Sequence, residues 1–186
     1  MPTLTIVVAS TRDGRAGLPV AEWFVARAQA HGKFAAELVD LKQVKLPLFD
    51  EPHHPRLQKY QHEHTKRWSA LIQRSDAFVF VTPEYNFGPA PALLNALDYV
   101  YREWNYKAAA FVSYGGASGG MRAVQATKLV VAALKMVPLV EAVAIPFFAK
   151  RIENGVFTSD DALDTSASVM LDELFRWNEA LKVLRD

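Results

Sequence analysis

Three segments of this chain are almost continuously apolar and rich in β-branched or aromatic side chains: Leu4-Thr5-Ile6-Val7-Val8-Ala9, Ala77-Phe78-Val79-Phe80-Val81 and Ala108-Ala109-Ala110-Phe111-Val112-Ser113. A strand with one face in water alternates apolar and polar residues. A strand without a polar face is covered on both sides, as in a parallel sheet flanked by helices. Each run gives way to a loop and then to apolar residues at helical spacing. Leu18, Ala21, Phe24, Val25 and Ala28 follow the first, Leu93, Leu94, Leu97, Val100 and Tyr101 the second, and a small-residue-rich stretch over 121–136 the third. Strand, loop and helix in repetition specify an α/β fold, a parallel sheet doubly wound with helices on both faces.

The remaining segments fit that frame. Ala36-Glu37-Leu38-Val39-Asp40 alternates, as an edge strand would, and residues 140–145 supply a fifth strand. Pro47, Pro52 and Pro55 interrupt the pattern, so 42–57 reads as a long loop whose position suits a cover over a ligand. Leu57, Trp68, Leu71 and Ile72 predict a helix that closes before Ser75. Asn154-Gly155 predicts the turn of a minor hairpin, and Ala167, Met170, Leu171, Leu174, Leu181 and Leu184 a final helix. With 186 residues, no internal repeat and no linker composition, one domain over 1–186 is expected.

Composition removes whole classes of function. The chain is 51% hydrophobic and 22% charged, which excludes a disordered or fibrous protein. Its 21 basic and 20 acidic residues leave a formal charge of +1, so no electrostatic case exists for nucleic acid or an anionic membrane as partner. The absence of cysteine excludes disulfides, thiolate metal sites and thiol nucleophiles, and a reducing cytoplasm is the expected compartment. Met1-Pro2-Thr3 carries no basic region ahead of the first apolar run, so no signal peptide is expected, and no apolar run approaches the roughly 20 residues that span a bilayer. His53, His54, His62 and His64 lie close in sequence. His62 and His64, two apart, would point to different faces of a helix, and neither H-E-x-x-H nor a tetrahedral zinc pattern occurs, so no metal is expected. G-x-S-x-G is also missing, which leaves α/β-hydrolase chemistry without its nucleophile.

Doubly wound sheets bind ligands beyond the carboxyl ends of their strands, where the strand order reverses. Three loops stand at such ends: 10–17, 82–89 and 113–120. The first, Ser10-Thr11-Arg12-Asp13-Gly14-Arg15-Ala16-Gly17, sets hydroxyls, arginines and glycines before a helix N-terminus, a composition that suits a phosphate if Asp13 points away and equally describes a solvated turn. It is neither a Walker loop nor G-x-G-x-x-G, which disfavours nucleoside triphosphates. The second, Thr82-Pro83-Glu84-Tyr85-Asn86-Phe87-Gly88-Pro89, either presents backbone groups and Tyr85 to a planar heterocycle or is a proline-fixed connection. In the third, Gly115 and Gly116 point to close approach of a ligand edge, whereas Gly119 and Gly120 suit a helix entrance.

Ser10-Thr11-Arg12, Pro83-Glu84-Tyr85-Asn86 with the following Pro-Ala-Leu-Leu-Asn-Ala-Leu-Asp, and Ser113-Tyr114-Gly115-Gly116, in this order, resemble the NADPH-dependent FMN reductase family of flavodoxin-like proteins over roughly 3–146. The resemblance implies a flavodoxin-like three-layer fold with strand order 2-1-3-4-5, bound FMN, and NADPH or NADH as co-substrate. It implies that Ser10, Arg12, Arg15 and Gly17 form the phosphate loop, that Pro83, Glu84, Tyr85 and Asn86 line the isoalloxazine, and that Ser113, Gly115 and Gly116 pass its edge. No catalytic side chain is required, because the flavin carries the hydride. It further implies reduction of a small acceptor such as free flavin, a quinone or an azo compound. A homodimer or homotetramer is implied too, with Tyr99, Tyr101 and Trp104 either as an aromatic face for self-association or packed within the chain. The rival reading, a non-catalytic FMN-binding electron carrier, is disfavoured by the near-zero charge, since such carriers are usually strongly acidic.

Overall fold

The apolar runs become the three central strands of a five-stranded parallel sheet. In the computed structural model, which describes residues 1–185, the strands are β1 (Thr3–Val8), β2 (Ala35–Asp40), β3 (Ala77–Pro83), β4 (Ala108–Tyr114) and β5 (Val137–Ile145), in the order 2-1-3-4-5. β3 and β4 are buried throughout, and in β2, at the edge, only the last two residues are. The helices are α1 (Gly17–His31), α2 (Leu41–Val44), α3 (Glu63–Arg74), α4 (Pro91–Asp98), α5 (Met121–Ala133) and α6 (Asp161–Leu181). Side chains alternate along each strand and fill two cores. Leu4, Ile6 and Val8 of β1 join Val20 and Phe24 of α1 and Leu171 and Leu174 of α6 in one, while Val7 joins Trp68, Leu93, Leu97 and Val131 in the other. No helix among the described residues is long and apolar enough to cross a membrane.

The chain passes from β1 to β2 on one side and reaches β3 on the other, so the order reverses between β1 and β3. Register pairs Val8 with Val81, Val81 with Val112 and Pro83 with Tyr114. The loops that leave β1, β3 and β4 therefore emerge side by side at one end of the sheet.

Several boundaries differ from the sequence reading. α5 stops at Ala133 because Lys135 adopts a left-handed φ of 58°, and β5 starts at Val137, three residues earlier than expected. α6 starts at Asp161, where the Asp160 carboxylate accepts the Leu163 N–H at 3.0 Å; the reading from apolar spacing missed this cap. Asn154 and Gly155, with φ of 50° and 78°, do turn a two-residue hairpin between β6 (Ile152–Glu153) and β7 (Val156–Phe157). Leu57 belongs to a separate 3-10 turn, outside α3.

Tyr99 and Trp104 do not form an exposed aromatic face. α4 ends at Asp98, the chain folds back, and both side chains are wholly buried. The Trp104 indole donates to Leu97 O at 3.1 Å and its ring packs 4.8 Å from Phe78, under the sheet. The Tyr99 hydroxyl donates to the Asp50 carboxylate at 3.1 Å. Loop 42–57 is held on α4 by Asn95, which donates to Pro47 O at 2.7 Å and accepts from the Phe49 N–H at 2.8 Å. It does not line the cavity described below. His62 and His64 do not diverge either. His62 is the extended N-cap of α3, outside the helix, and its ring stacks on His64 with centroids 5.1 Å apart, both facing Asp50.

Candidate functional site

Where the three loops meet, they enclose a cavity of about 340 Å³. Ser10, Arg12 and Arg15 line it from the first loop, Pro83, Glu84 and Tyr85 from the second, and Gly115 and Gly116 from the third. Gly14, Ala16, Tyr114 and Phe148 complete the wall; the first three stand inside the motifs read from the sequence without a site role of their own, and Phe148 stands outside them. Gly17, Asn86 and Ser113 stand outside the lining. Gly17 opens α1, Asn86 sits at a turn tip, and the Ser113 hydroxyl is turned inward to Gly119 O at 2.8 Å. A larger cleft of about 860 Å³ lies near Lys107 and Arg185, by the amino ends of the strands, away from all three loops.

The two arginines of the first loop have separate tasks. Arg15 donates to Ser10 O at 2.6 Å and to Asp40 Oδ1 at 2.5 Å, and its second guanidinium nitrogen reaches Asp40 Oδ2. Asp40 ends β2 and caps α2 through the Lys42 N–H, so this pair fastens the loop to the neighbouring strand. Burial would raise the Asp40 carboxyl, but Arg15 and the Lys42 N–H outweigh it and hold it below the usual carboxylate range. Arg12 has no carboxylate partner among the described residues; it lies 6.0 Å from the Tyr85 ring centroid. Asp13 does point away, to Lys42. α1 starts at Gly17 without a side-chain cap and without an acidic residue in its first turn, so its N–H donors remain available.

Tyr114 supports this loop from below. It is 3% exposed, its ring stands edge-on to Phe148 with centroids 5.1 Å apart, and its hydroxyl has no hydrogen-bond partner among the described residues. A Cβ at position 17 would come within 2.6 Å of that hydroxyl, which accounts for the glycine there.

The second loop turns tightly. Tyr85 and Gly88 exchange two backbone hydrogen bonds of 2.9 Å, with Asn86 and Phe87 at φ of 49° and 68°. The Tyr85 hydroxyl meets the Ser10 hydroxyl at 2.7 Å and joins this loop to the first. Glu84 joins it to the third: its carboxylate accepts from the Ser118 hydroxyl at 3.0 Å and the Arg122 N–H at 3.1 Å, and pairs with the Arg122 guanidinium. Burial would raise Glu84, yet Arg122 and Ser118 hold it below its ordinary value, so it remains an anion and a tie between loops. In the third loop Gly119 and Gly120 have φ of 60° and 84°, and a Cβ on Gly120 would strike β4 at 2.9 Å. At Gly116 a Cβ would meet nothing, and the wall is open there.

A helix N-terminus without a side-chain cap, beside an arginine with no carboxylate partner among the described residues, has the chemistry that suits an anion, and Tyr85 and Gly116 line the same cavity. An unmatched buried hydroxyl beside that anion seat strengthens the fit to a phosphorylated, planar cofactor. Residues 2–150 match the family described as NADPH-dependent FMN reductase. The chain belongs to the NADPH-dependent FMN reductase family. An NAD(P)H-dependent FMN reductase of Schizosaccharomyces pombe is 40% identical over 149 residues, 78% of this chain and 74% of the relative. An NADPH azoreductase of a Bacillus species is 29% identical, covering 77% of this chain and 75% of its own. Among solved structures, the NAD(P)H:(acceptor) oxidoreductase FerB of Paracoccus denitrificans superposes over 97% of this chain and 98% of its own with a TM-score of 0.77 at 23% identity, a likeness of fold. Membership makes this FMN reductase homologue an NAD(P)H-dependent flavoprotein oxidoreductase of flavodoxin-like fold, with FMN as its cofactor.

Proposed function

We propose that this chain acts as one FMN-binding domain in the cytoplasm, holds FMN across the three loops, and serves the reduction of a small planar acceptor such as free flavin, a quinone or an azo compound. FMN, when bound, supplies the redox chemistry by taking a hydride from NADPH or NADH and passing reducing equivalents on. The observation that carries this reading is that one cavity is lined by Ala16 at the uncapped N-terminus of α1, by Arg12, which has no carboxylate partner among the described residues, and by Tyr85 and Gly116.

The first-turn N–H groups of α1 and Arg12 would hold the phosphate, with Ser10 and Arg15 shaping the loop around it. Pro83, Glu84, Tyr85, Gly115 and Gly116, all in the cavity wall, would line the ring. Glu84 stays ionised and bound to Ser118 and Arg122, so it orients loops and is no proton donor. The relatives named for azo and general acceptor reduction support a small acceptor at the open face.

The test is the anaerobic visible spectrum of FMN-reconstituted protein on addition of one equivalent of NADPH. Bleaching of the bound flavin is expected within the mixing time of a manual assay. Flavin that stays oxidised would turn the proposal toward a carrier, and protein that retains no FMN would end it.

A further inference from the structure

We propose that the cleft of about 860 Å³ at the amino ends of β3, β4 and β5 binds a small molecule carrying several phosphate charges, at a site separate from the FMN cavity. Six of its lining side chains are cations and two, Asp76 and Glu103, are acids, in a chain whose charges otherwise cancel to +1. Both acids are already matched. Glu103 is 1% exposed and accepts from the Ser69 and Tyr60 hydroxyls at 2.6 and 2.9 Å, while Asp76 accepts the Thr3 N–H at 2.7 Å and lies 3.9 Å from Arg185. The cations are matched less well. Arg56 donates to the Tyr101 hydroxyl at 3.2 Å and Lys135 to the Tyr106 hydroxyl at 3.4 Å; neither of them, nor Arg102, nor Lys107, has a carboxylate at ion-pairing distance among the described residues. Lys107 is a cation set in the wall itself. It is 5% exposed, and of its three N–H donors two go to Ile72 O and Gln73 O at 2.7 and 3.0 Å, which leaves the third for an acceptor in the cleft. Burial and the charge of Arg185 push this ammonium down to about 8 against the pull of Asp76 and Glu103, and an anion in the cleft would offset both effects. The backbone of the rim is strained as well. Tyr106 and Lys135 hold left-handed φ of 61° and 58°, joined by a bond from the Tyr106 N–H to Lys135 O of 2.9 Å, and both side chains line the cleft. Guanidinium and ammonium groups spread around a volume of this size suit several phosphate oxygens at once, as in an oligophosphate or a nucleotide.

FMN-loaded protein is titrated by calorimetry with pyrophosphate and, separately, with ADP, while flavin fluorescence reports any release of FMN. One molecule of probe should bind per chain with the flavin retained. The double variant Arg56→Gln/Lys135→Gln changes two exposed side chains and should melt as wild type does, with both probes weakened about tenfold or more, the scale of lost contacts to a charged ligand. ADP binding more tightly than pyrophosphate would mark a nucleotide as the ligand, and equal binding an inorganic oligophosphate; either outcome supports the site. No heat of binding at millimolar pyrophosphate, binding untouched by the double substitution, or binding that expels FMN would overturn it.

Discussion

Arg12 and Arg15 stand three residues apart in one loop, and the structure separates their effects. Arg12→Ala should weaken FMN binding about ten- to a hundredfold, through loss of a charge-assisted contact, and leave the melting temperature of the apoprotein unchanged. Arg15→Ala leaves Asp40 buried without its cation and should lower the melting temperature at neutral pH, with FMN affinity falling as the loop loosens. Because the folded Asp40 carboxyl lies below its ordinary value, the pair stabilises fully above the ordinary aspartate range and loses its effect as pH falls through the lowered value. The melting temperatures of wild type and Arg15→Ala should therefore converge on acidification. A gap that persists or widens toward acid pH would remove the ion pair as its cause. Most of the lining was legible in the sequence because Ser10, Arg12, Pro83, Tyr85 and Gly116 belong to compact motifs at strand ends. Tyr114 was legible too and was passed over: counting by twos from Ala108 reaches Ala110, Val112 and Tyr114 on one face, whereas Ser113 faces the other.

Among the secondary-structure elements, the junction of α3 with β4 carries a buried charge. Lys107 precedes β4, is 5% exposed, and donates to Ile72 O at 2.7 Å and Gln73 O at 3.0 Å in the last turn of α3, where Ile72 O also accepts the Ser75 N–H at 3.2 Å. Burial pushes its ammonium down to about 8. Between that value and the ordinary lysine value near 10.4 the unfolded chain binds more protons, so stability rises with pH across this window. Wild type should gain on Lys107→Met between pH 8 and 10 by at most about 1.4 kcal/mol per pH unit, measured by urea unfolding. Parallel stability profiles would show that Lys107 is charged alike in both states. Strands were the most legible elements, because a run covered on both faces has no polar residue to blur it. Helix ends were less so: the cap Asp160 precedes the first apolar repeat of α6, and left-handed Lys135 carries no residue-type signal.

For the whole molecule, the homodimer or homotetramer is our proposal, and Tyr99 and Trp104 no longer support it, since both are core residues. Leu48 and Phe87, 84% and 66% exposed, are among the apolar side chains near the second loop and α4 that a second copy would cover. Light scattering at micromolar concentration should report at least twice the 20.7 kDa chain mass, and Leu48→Glu should lower it; a monomeric wild type would dismiss the oligomer. The sequence by itself determined the α/β class, the order of the elements and the three loops that could carry a ligand, because periodicity and turn chemistry are written within ten residues or so. Partnership across the sheet was decided only in three dimensions. Arg15 meets Asp40 because β2 lies beside β1, Glu84 meets Arg122 because β4 lies beside β3, and Trp104 is buried because the chain turns back after α4. The two ion pairs depend on which strands become neighbours and Trp104 on the reversal after α4, and both belong to the packing of the whole chain.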